Sequence, residues 1–351
     1  MDNHRFNLRG KGKAVTQILH SGLLTGEQKL AKLLFKYLNL KKDGNQCNAQ
    51  NCSQEWKLEQ IKNNEAILYK DKIWCPECLW KRFSNFVPNY KIGWIENFPF
   101  GDSWLAIRDV KSFTPKFPIK SLYRFPLKKQ KQGWDKILNR VKQGFDLVRQ
   151  VQSNCLFQVE SYKKIDNFGY ILTEYVPGIT LEKLLKFVYN KKGFTQFESI
   201  ALLRKLAQAI HILHKNNIIH GNITPKSIHI SLNGGVKLGN FFIAHSKNEG
   251  YEDIDIVKTM IKRMKNISYI KHETNLKTIG QDSDLWAWGV IAFEILEGKN
   301  PFLNNLTAKN IEDLGFSRKT PGRLQKIVYS VLESKYNNAN SIKNDLDLIQ
   351  N

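Results

Sequence analysis

His220-Gly221-Asn222-Ile223-Thr224-Pro225-Lys226-Ser227-Ile228 is a polar, proline-bearing segment that follows a long helical period. From Ser199 to His214 the apolar residues recur at three- and four-residue steps, and the pattern runs out through Lys215-Asn216-Asn217-Ile218-Ile219. Further helical periods occupy Leu181 to Val188, Leu285 to Leu296 and Arg323 to Leu332. Upstream the texture differs: short strand-like runs alternate with polar links as far as Glu174. Strands first and helices later predict an α+β domain.

The chain has 351 residues, 42% of them hydrophobic, with 8 Trp, 20 Phe and 12 Tyr, enough to bury a core. That length fits one two-lobed domain plus an appended module, or two to three small domains. No run approaches the roughly 18 apolar residues of a membrane span. Met1-Asp2-Asn3-His4-Arg5 lacks the apolar centre of a secretory signal, which predicts an intracellular, cytoplasmic protein with reduced cysteines. The formal charge of +22 suits a polyanionic partner such as nucleic acid, an acidic membrane surface or an acidic protein. Abundant Asn and Ile beside the Lys fit equally an AT-rich genome and solvated surface lysines.

Cys47 and Cys52 have four residues between them, Cys75 and Cys78 have two, and twenty-two lie between the pairs. Two short-spaced pairs can set four thiolates tetrahedrally around zinc at about 2.3 Å, and the Trp74-Cys75-Pro76-Glu77-Cys78 turn can aim backbone amides at the sulfurs. A four-cysteine set leaves no open position, so the expected zinc is structural. The bland alternative is four unrelated buried thiols, which is also the reading for Cys155. Before the cysteines, Leu23, Leu24, Leu30, Leu33, Leu34 and Leu38 predict an amphipathic helix ended by Lys41-Lys42-Asp43-Gly44. The predicted organisation is a basic helical extension over 1–43, a zinc module over 44–85, and two lobes over 86–178 and 179–351.

The segment at 220–228 resembles the catalytic loop of eukaryotic-type protein kinases, H-R-D-L-x-P-x-N-I. Val236-Lys237-Leu238-Gly239-Asn240-Phe241-Phe242-Ile243-Ala244 resembles the strand and D-F-G segment that follow it, Tyr269-Ile270-Lys271-His272-Glu273 sits where A-P-E would, and Asp284-Leu285-Trp286-Ala287-Trp288-Gly289-Val290 is similar to D-x-W-x-x-G. Tyr170 to Gly178 looks like the hinge, and Ser334 to Ser341 resembles the last helices of bacterial Ser/Thr kinases. The resemblance covers roughly 90–351. It implies a bilobal fold, a small β-rich lobe and a helical one, with Trp286, Gly289, Asp284, Glu273 and Pro225 as scaffold and Glu273 paired to Lys335.

The departures from the family fall on its chemistry. Where the family has the Asp that accepts the substrate proton stands Asn222, and its two magnesium ligands are replaced by Ser227 and Asn240. Mg²⁺ favours carboxylate oxygens, and losing one preorganised electrostatic partner costs on the order of a hundred- to a thousandfold in rate. Gly221 replaces the loop arginine and Phe242 the D-F-G glycine. In the front lobe, Phe117-Pro118-Ile119-Lys120 resembles the V-A-I-K strand, which makes Lys120 the candidate phosphate lysine and Asp146 its candidate partner. Gly101 is the one glycine left of the glycine-rich loop. Weak or absent ATP and Mg²⁺ binding is the expectation, and the histidines at 211, 214, 220, 229 and 245 read as structural.

Three functions remain open on the sequence. The first is a catalytically inactive pseudokinase scaffold that recruits or regulates a protein partner. The second is a weakly active or atypical Ser/Thr kinase, and the third a nucleic-acid-associated zinc protein framed by a kinase fold. The N-terminal helix and the basic clusters at Lys128-Lys129-Gln130-Lys131 and at Lys258 to Arg263 are the predicted polyanion patch.

Overall fold

The computed structural model describes residues 25–87, 89–108, 119–127, 133–189, 193–249, 253–271, 279–302, 311, 314–317 and 319–349. The predicted first helix forms as α1, Gly26–Tyr37. Its start is a capping box: Thr25 Oγ1 accepts from the Gln28 amide at 3.2 Å and Gln28 Oε1 accepts from the Thr25 amide at 2.9 Å. Leu30, Leu34 and Leu38 lie one turn apart and are buried. Leu23 and Leu24 fall outside the described residues, as do Lys128, Lys129, Lys131 and Glu273.

The cysteine region follows with β1 (Asn45–Gln46), β2 (Glu55–Trp56), α2 (Leu58–Lys62), the hairpin β3 (Ile67–Tyr69) and β4 (Lys72–Trp74), and α3 (Pro76–Arg82). Lys70 and Asp71, both in the left-handed region with φ of 50° and 61°, close the hairpin in two residues.

The small lobe is an antiparallel sheet of six strands in the order β5-β6-β7-β8-β10-β9. Its members are β5 (Asn85–Val87), β6 (Tyr90–Phe98), β7 (Gly101–Arg108), β8 (Ile119–Pro126), then, after the helix α4 (Trp134–Arg149), β9 (Val159–Ile165) and β10 (Phe168–Glu174). Ile137, Val141, Phe145 and Val148 form the buried stripe of α4.

The large lobe is helical. It contains α5 (Leu181–Tyr189), α6 (Gln196–Lys215), α7 (Ile254–Met264), α8 (Gln281–Glu297), α9 (Gly322–Leu332) and α10 (Ala339–Asp347), with the small sheet of β11 (Gly178–Thr180), β12 (Ile228–Ser231) and β13 (Val236–Leu238) near the hinge. α8 is apolar nearly all round and runs through the lobe's centre, where Trp288 is fully buried and donates Nε1 to Leu203 O at 3.0 Å. The architecture is the α+β, two-lobed one expected from the sequence.

α1 seats on the large lobe. A Cβ on Gly26 would lie 2.5 Å from the Ala201 Cβ, and one on Gly234 only 1.9 Å from Glu27 O, so both glycines mark backbone contact. Lys205 pairs with Glu27 at 2.9 Å on the same interface. One apolar cluster joins Leu30 and Leu34 to Leu68, Phe125, Leu206 and Leu346 and so crosses the sequence boundaries at 43, 85 and 178.

Candidate functional site

Cys47 leaves β1, Cys52 lies in the turn before β2, and Cys75 and Cys78 bracket the first turn of α3, where Pro76 occupies the opening position. The four Sγ atoms all lie within 4.8 Å of one another, and Cys52 Sγ is 3.4 Å from Cys75 Sγ. A tetrahedron with arms of about 2.3 Å has edges of about 3.8 Å, so the separations suit one ion at the centre. The Cys75 amide donates to Cys47 Sγ at 3.2 Å, as expected of a helix N-terminus facing thiolates. Burial pushes the Cys75 thiol up and that of Cys78 up to about 11, with the neighbouring sulfurs adding to both, while a hydrogen bond from the backbone of Gln54 draws Cys52 down. A central cation would reverse the crowding of negative charge. Cys155 is buried and stands apart from this group. The four cysteines could therefore hold a metal ion. Elemental analysis of purified protein is expected to find about one zinc per chain, lost on chelation together with the folded front module; a well-folded, metal-free sample would end the zinc reading.

The loop at 220–228 is suspended from one buried carboxylate. Asp284, in the first turn of α8, accepts from the His220 amide at 2.9 Å, the Gly221 amide at 2.8 Å and His214 Nε2 at 2.9 Å. His220 Nε2 lies 2.8 Å from Gly239 O, a group that can only accept, so Nε2 carries the proton, and Nδ1 accepts from the Asn222 amide at 3.2 Å. Burial pushes the His220 pKa down, which keeps the ring neutral.

Each of the three residues that replace the family's catalytic Asp, loop Asn and D-F-G Asp is already engaged. Asn222 donates Nδ2 to Met264 Sδ at 3.2 Å and accepts on Oδ1 from Asn266 Nδ2 at 3.0 Å, so the last residue of α7 and the turn that follows it cap both ends of its amide. Ser227 Oγ donates to Thr224 O at 2.8 Å and accepts from the Thr224 amide at 2.9 Å, a local turn. Asn240, in the left-handed region with φ of 61°, donates Nδ2 to Lys226 O at 3.1 Å and accepts from the Tyr123 hydroxyl at 3.0 Å.

That last contact corrects the reading of the front lobe. Side chains alternate along β8, so Lys120, Leu122 and Arg124 share one face while Ser121, Tyr123 and Phe125 share the other. Lys120 pairs with Glu160 of β9, and Leu122 packs with Trp104 and Tyr170 on the outer side of the sheet. Ser121 and Tyr123 line the cleft between the lobes. The residue that reaches the segment around Asn240 is therefore Tyr123, not Lys120. Burial raises its hydroxyl pKa, so Tyr123 is a neutral donor there. Asp146 is not the partner of Lys120 either: it pairs with Lys142 at 3.7 Å, and the α4 residue facing Tyr123 is Phe145, at 5.6 Å between rings. Gly101 is glycine because a Cβ there would lie 1.9 Å from Arg124 O, a demand of strand pairing rather than of a phosphate. The strand parity of Tyr123, Ser121 and Phe125 was the signal available in the sequence.

The end of the cleft beside Asn240 is lined with rings. β6 and β7 join through a two-residue turn, Pro99-Phe100, with Phe98 opposite Gly101. From that hairpin Phe98 stacks on Phe242 at 5.2 Å with 14° between planes, and the fully buried Phe100 meets it at 5.9 Å. Phe242 is 5% exposed and also meets Tyr123 at 5.7 Å, Phe145 at 5.6 Å and Phe125 at 6.5 Å. At the hinge end, His229 Nε2 donates to Val176 O at 3.0 Å, with Phe157 edge-on at 5.4 Å, and burial draws the His229 pKa down to about 4. A cleft of about 1340 Å³ remains, lined among others by Glu96, Thr180, Lys183 and Lys226.

A profile of the protein kinase domain matches residues 116–349. The chain belongs to the protein kinase family. A probable serine/threonine-protein kinase of Clostridium acetobutylicum is 29% identical over 201 residues, 53% of this chain and 29% of that protein. Another from Clostridium perfringens is 26% identical over 258 residues, 68% of this chain and 36% of the relative. Aurora kinase C of Mus musculus is 24% identical over 221 residues, 61% and 74% of the two chains. The chain thus spans about a third of the length of the clostridial relatives. Among its described residues, no helix is long and apolar enough to cross a membrane. Of the family's expected ion pair, Glu273 is outside the described residues, and Lys335 is exposed and pairs with Glu333 at 2.5 Å.

Proposed function

We propose that this member of the kinase family is a pseudokinase: a scaffold that recruits or regulates a protein partner, with a structural zinc held by Cys47, Cys52, Cys75 and Cys78. The observation that carries this reading is the ring cluster around Phe242, which fills the space a nucleotide's phosphates would take, beside Asn240 and Asn222 in place of acids. An amide cannot take the substrate proton, and a tyrosine hydroxyl on Asn240 supplies no charge to a metal or a phosphate. At the hinge, His229 already uses the Val176 carbonyl. The division into an extension over 1–43, a zinc module over 44–85 and lobes over 86–178 and 179–351 belongs to the same proposal.

MgATP is expected to leave the melting temperature unchanged, and generic acceptors to remain unphosphorylated. Asn222→Asp alone is expected to change neither result, because Ser227 and Asn240 still offer the metal no charge. Autophosphorylation by the unmodified protein, abolished by Asn240→Ala, would replace this reading with that of an atypical Ser/Thr kinase. Binding to nucleic acid that weakens steeply with salt would favour the third reading instead.

A further inference from the structure

The hairpin β3–β4 touches both lobes and the hinge between them. At the hinge, the Tyr175 hydroxyl accepts from the Leu68 amide at 3.0 Å and donates to Leu68 O at 2.9 Å, satisfying both main-chain groups of one strand residue. On the small lobe, the Tyr69 hydroxyl donates to Trp94 O of β6 at 2.6 Å. On the large lobe, Lys183 of α5 holds both oxygens of Asp71 at 3.0 Å, and Tyr37 of α1 donates to the same carboxylate at 3.2 Å.

The apolar side chains divide the same way. Ile67, Tyr69 and Trp74 pack with Leu105, Ile107 and Ile119 of the small-lobe sheet, whereas Leu68 and Ile73 join the cluster continuous with the large lobe. This is the period-two alternation of a strand used to face two bodies at once. Cys75 directly follows β4, and the Asn48 amide, next to Cys47, donates to Ile73 O at 2.7 Å, so the four-cysteine centre holds the base of the hairpin.

We infer that the cysteine module is an interlobe brace: it fixes the angle between the lobes, and metal occupancy governs whether the brace holds. The metal half rests on the zinc reading above; the hairpin half does not. Tyr69 and Asp71 belong to one two-residue-turn hairpin, so rotation of one lobe against the other must part Tyr69 from Trp94, part Asp71 from Lys183, or deform the hairpin that carries both.

The test uses the full chain with spin labels on non-natural residues placed at the exposed Lys164 and Lys299, and hydrogen exchange on the same protein. The Tyr69→Phe, Asp71→Ala double variant keeps all cysteines. It is expected to at least double the width of the label distance distribution and to speed exchange in hinge residues 174–178 about tenfold, with α8 unchanged as the sign of an intact large lobe. A folded variant with unaltered width and hinge exchange overturns the brace. Chelation of the unmodified protein, with metal counted before and after, is expected to reproduce both changes. If metal leaves and the hinge stays as it was, metal control is overturned while the brace stands. If the purified chain holds no metal, the zinc reading and the metal control fall together, and the double variant decides the brace by itself.

Discussion

Asp284→Ala is expected to lower the unfolding free energy by about 3–5 kcal/mol, the range for breaking a buried, charge-assisted network by removing one partner. The carboxylate is 1% exposed and takes bonds from His214, His220 and Gly221. Truncation strands two buried amides and an imidazole. Asp284→Asn keeps the shape and one acceptor but turns an N–H toward a ring of donors, so it should fall between wild type and alanine. Denaturant midpoints with unchanged slopes are the measurement, and a loss under about 1 kcal/mol for alanine would mean that the loop does not hang on this residue. The same hub sets a pH dependence. Burial pushes the Asp284 carboxyl up, but the bonds from His214 and the His220 backbone outweigh it, leaving the folded value below the ordinary one. That stabilisation is complete above the ordinary carboxylate range and is lost as pH falls through the folded value. Burial also draws His220 down, and it draws His229 and His245 to about 4 from an ordinary 6.5. Between those two values the unfolded chain binds more protons than the folded one, so stability falls as pH falls. The midpoint at pH 5 should be clearly lower than at pH 7.

The parts of this fold carried by local order were readable in the sequence. Each of the segments at 220–228, 236–244 and 284–290 holds its own turn, strand or helix start, and their succession places the large lobe. The cysteine pairs were equally legible, because ligand spacing is a local property that folding brings together once. The small lobe was less so. Lys120 follows Ile119 as a family lysine would; alternation groups Ser121, Tyr123 and Phe125 on one face of β8, but which face looks into the cleft is decided by how the sheet formed with β7 and β10 packs on the rest of the fold. Loss of the glycine-rich loop could be seen; that Phe98 and Phe100 would land on Phe242 could not, since those rings come from segments more than 140 residues apart in the chain. The brace was hidden for the same reason: Leu68 and Tyr175 are 107 residues apart, and nothing in either neighbourhood names the other.

Phe242→Gly restores the residue that the kinase family carries at this position, and it is expected to destabilise the protein by about 3–5 kcal/mol. The ring is buried among five others, and truncation loses its transfer energy, its stack on Phe98 and the packing of a cavity that three elements enclose. The backbone does not need glycine here, because Phe242 is absent from the positive-φ residues, so the change adds unfolded-state entropy of about 0.5–1 kcal/mol without relieving strain. Phe242→Leu, which refills most of the volume, should lose less than half as much. Phe98→Gly removes the other half of the same stack, so the double variant should be less harmful than the two single losses added together. Opening the space does not make a nucleotide site. Tyr123 still occupies the donor position on Asn240, and neither Asn222 nor Ser227 gains charge, so Phe98→Gly with Phe242→Gly should still show no thermal shift with MgATP. Adding Tyr123→Lys and Asn240→Asp supplies a cation for phosphate and an anion for the metal on the face of β8 that looks into the cleft, and this fourfold variant is the first expected to bind MgATP. If placing the lysine at Ser121, the other β8 residue that lines the cleft, restored binding equally well, or if Phe242→Gly alone sufficed, then Tyr123 and the ring cluster would not be what closes the site.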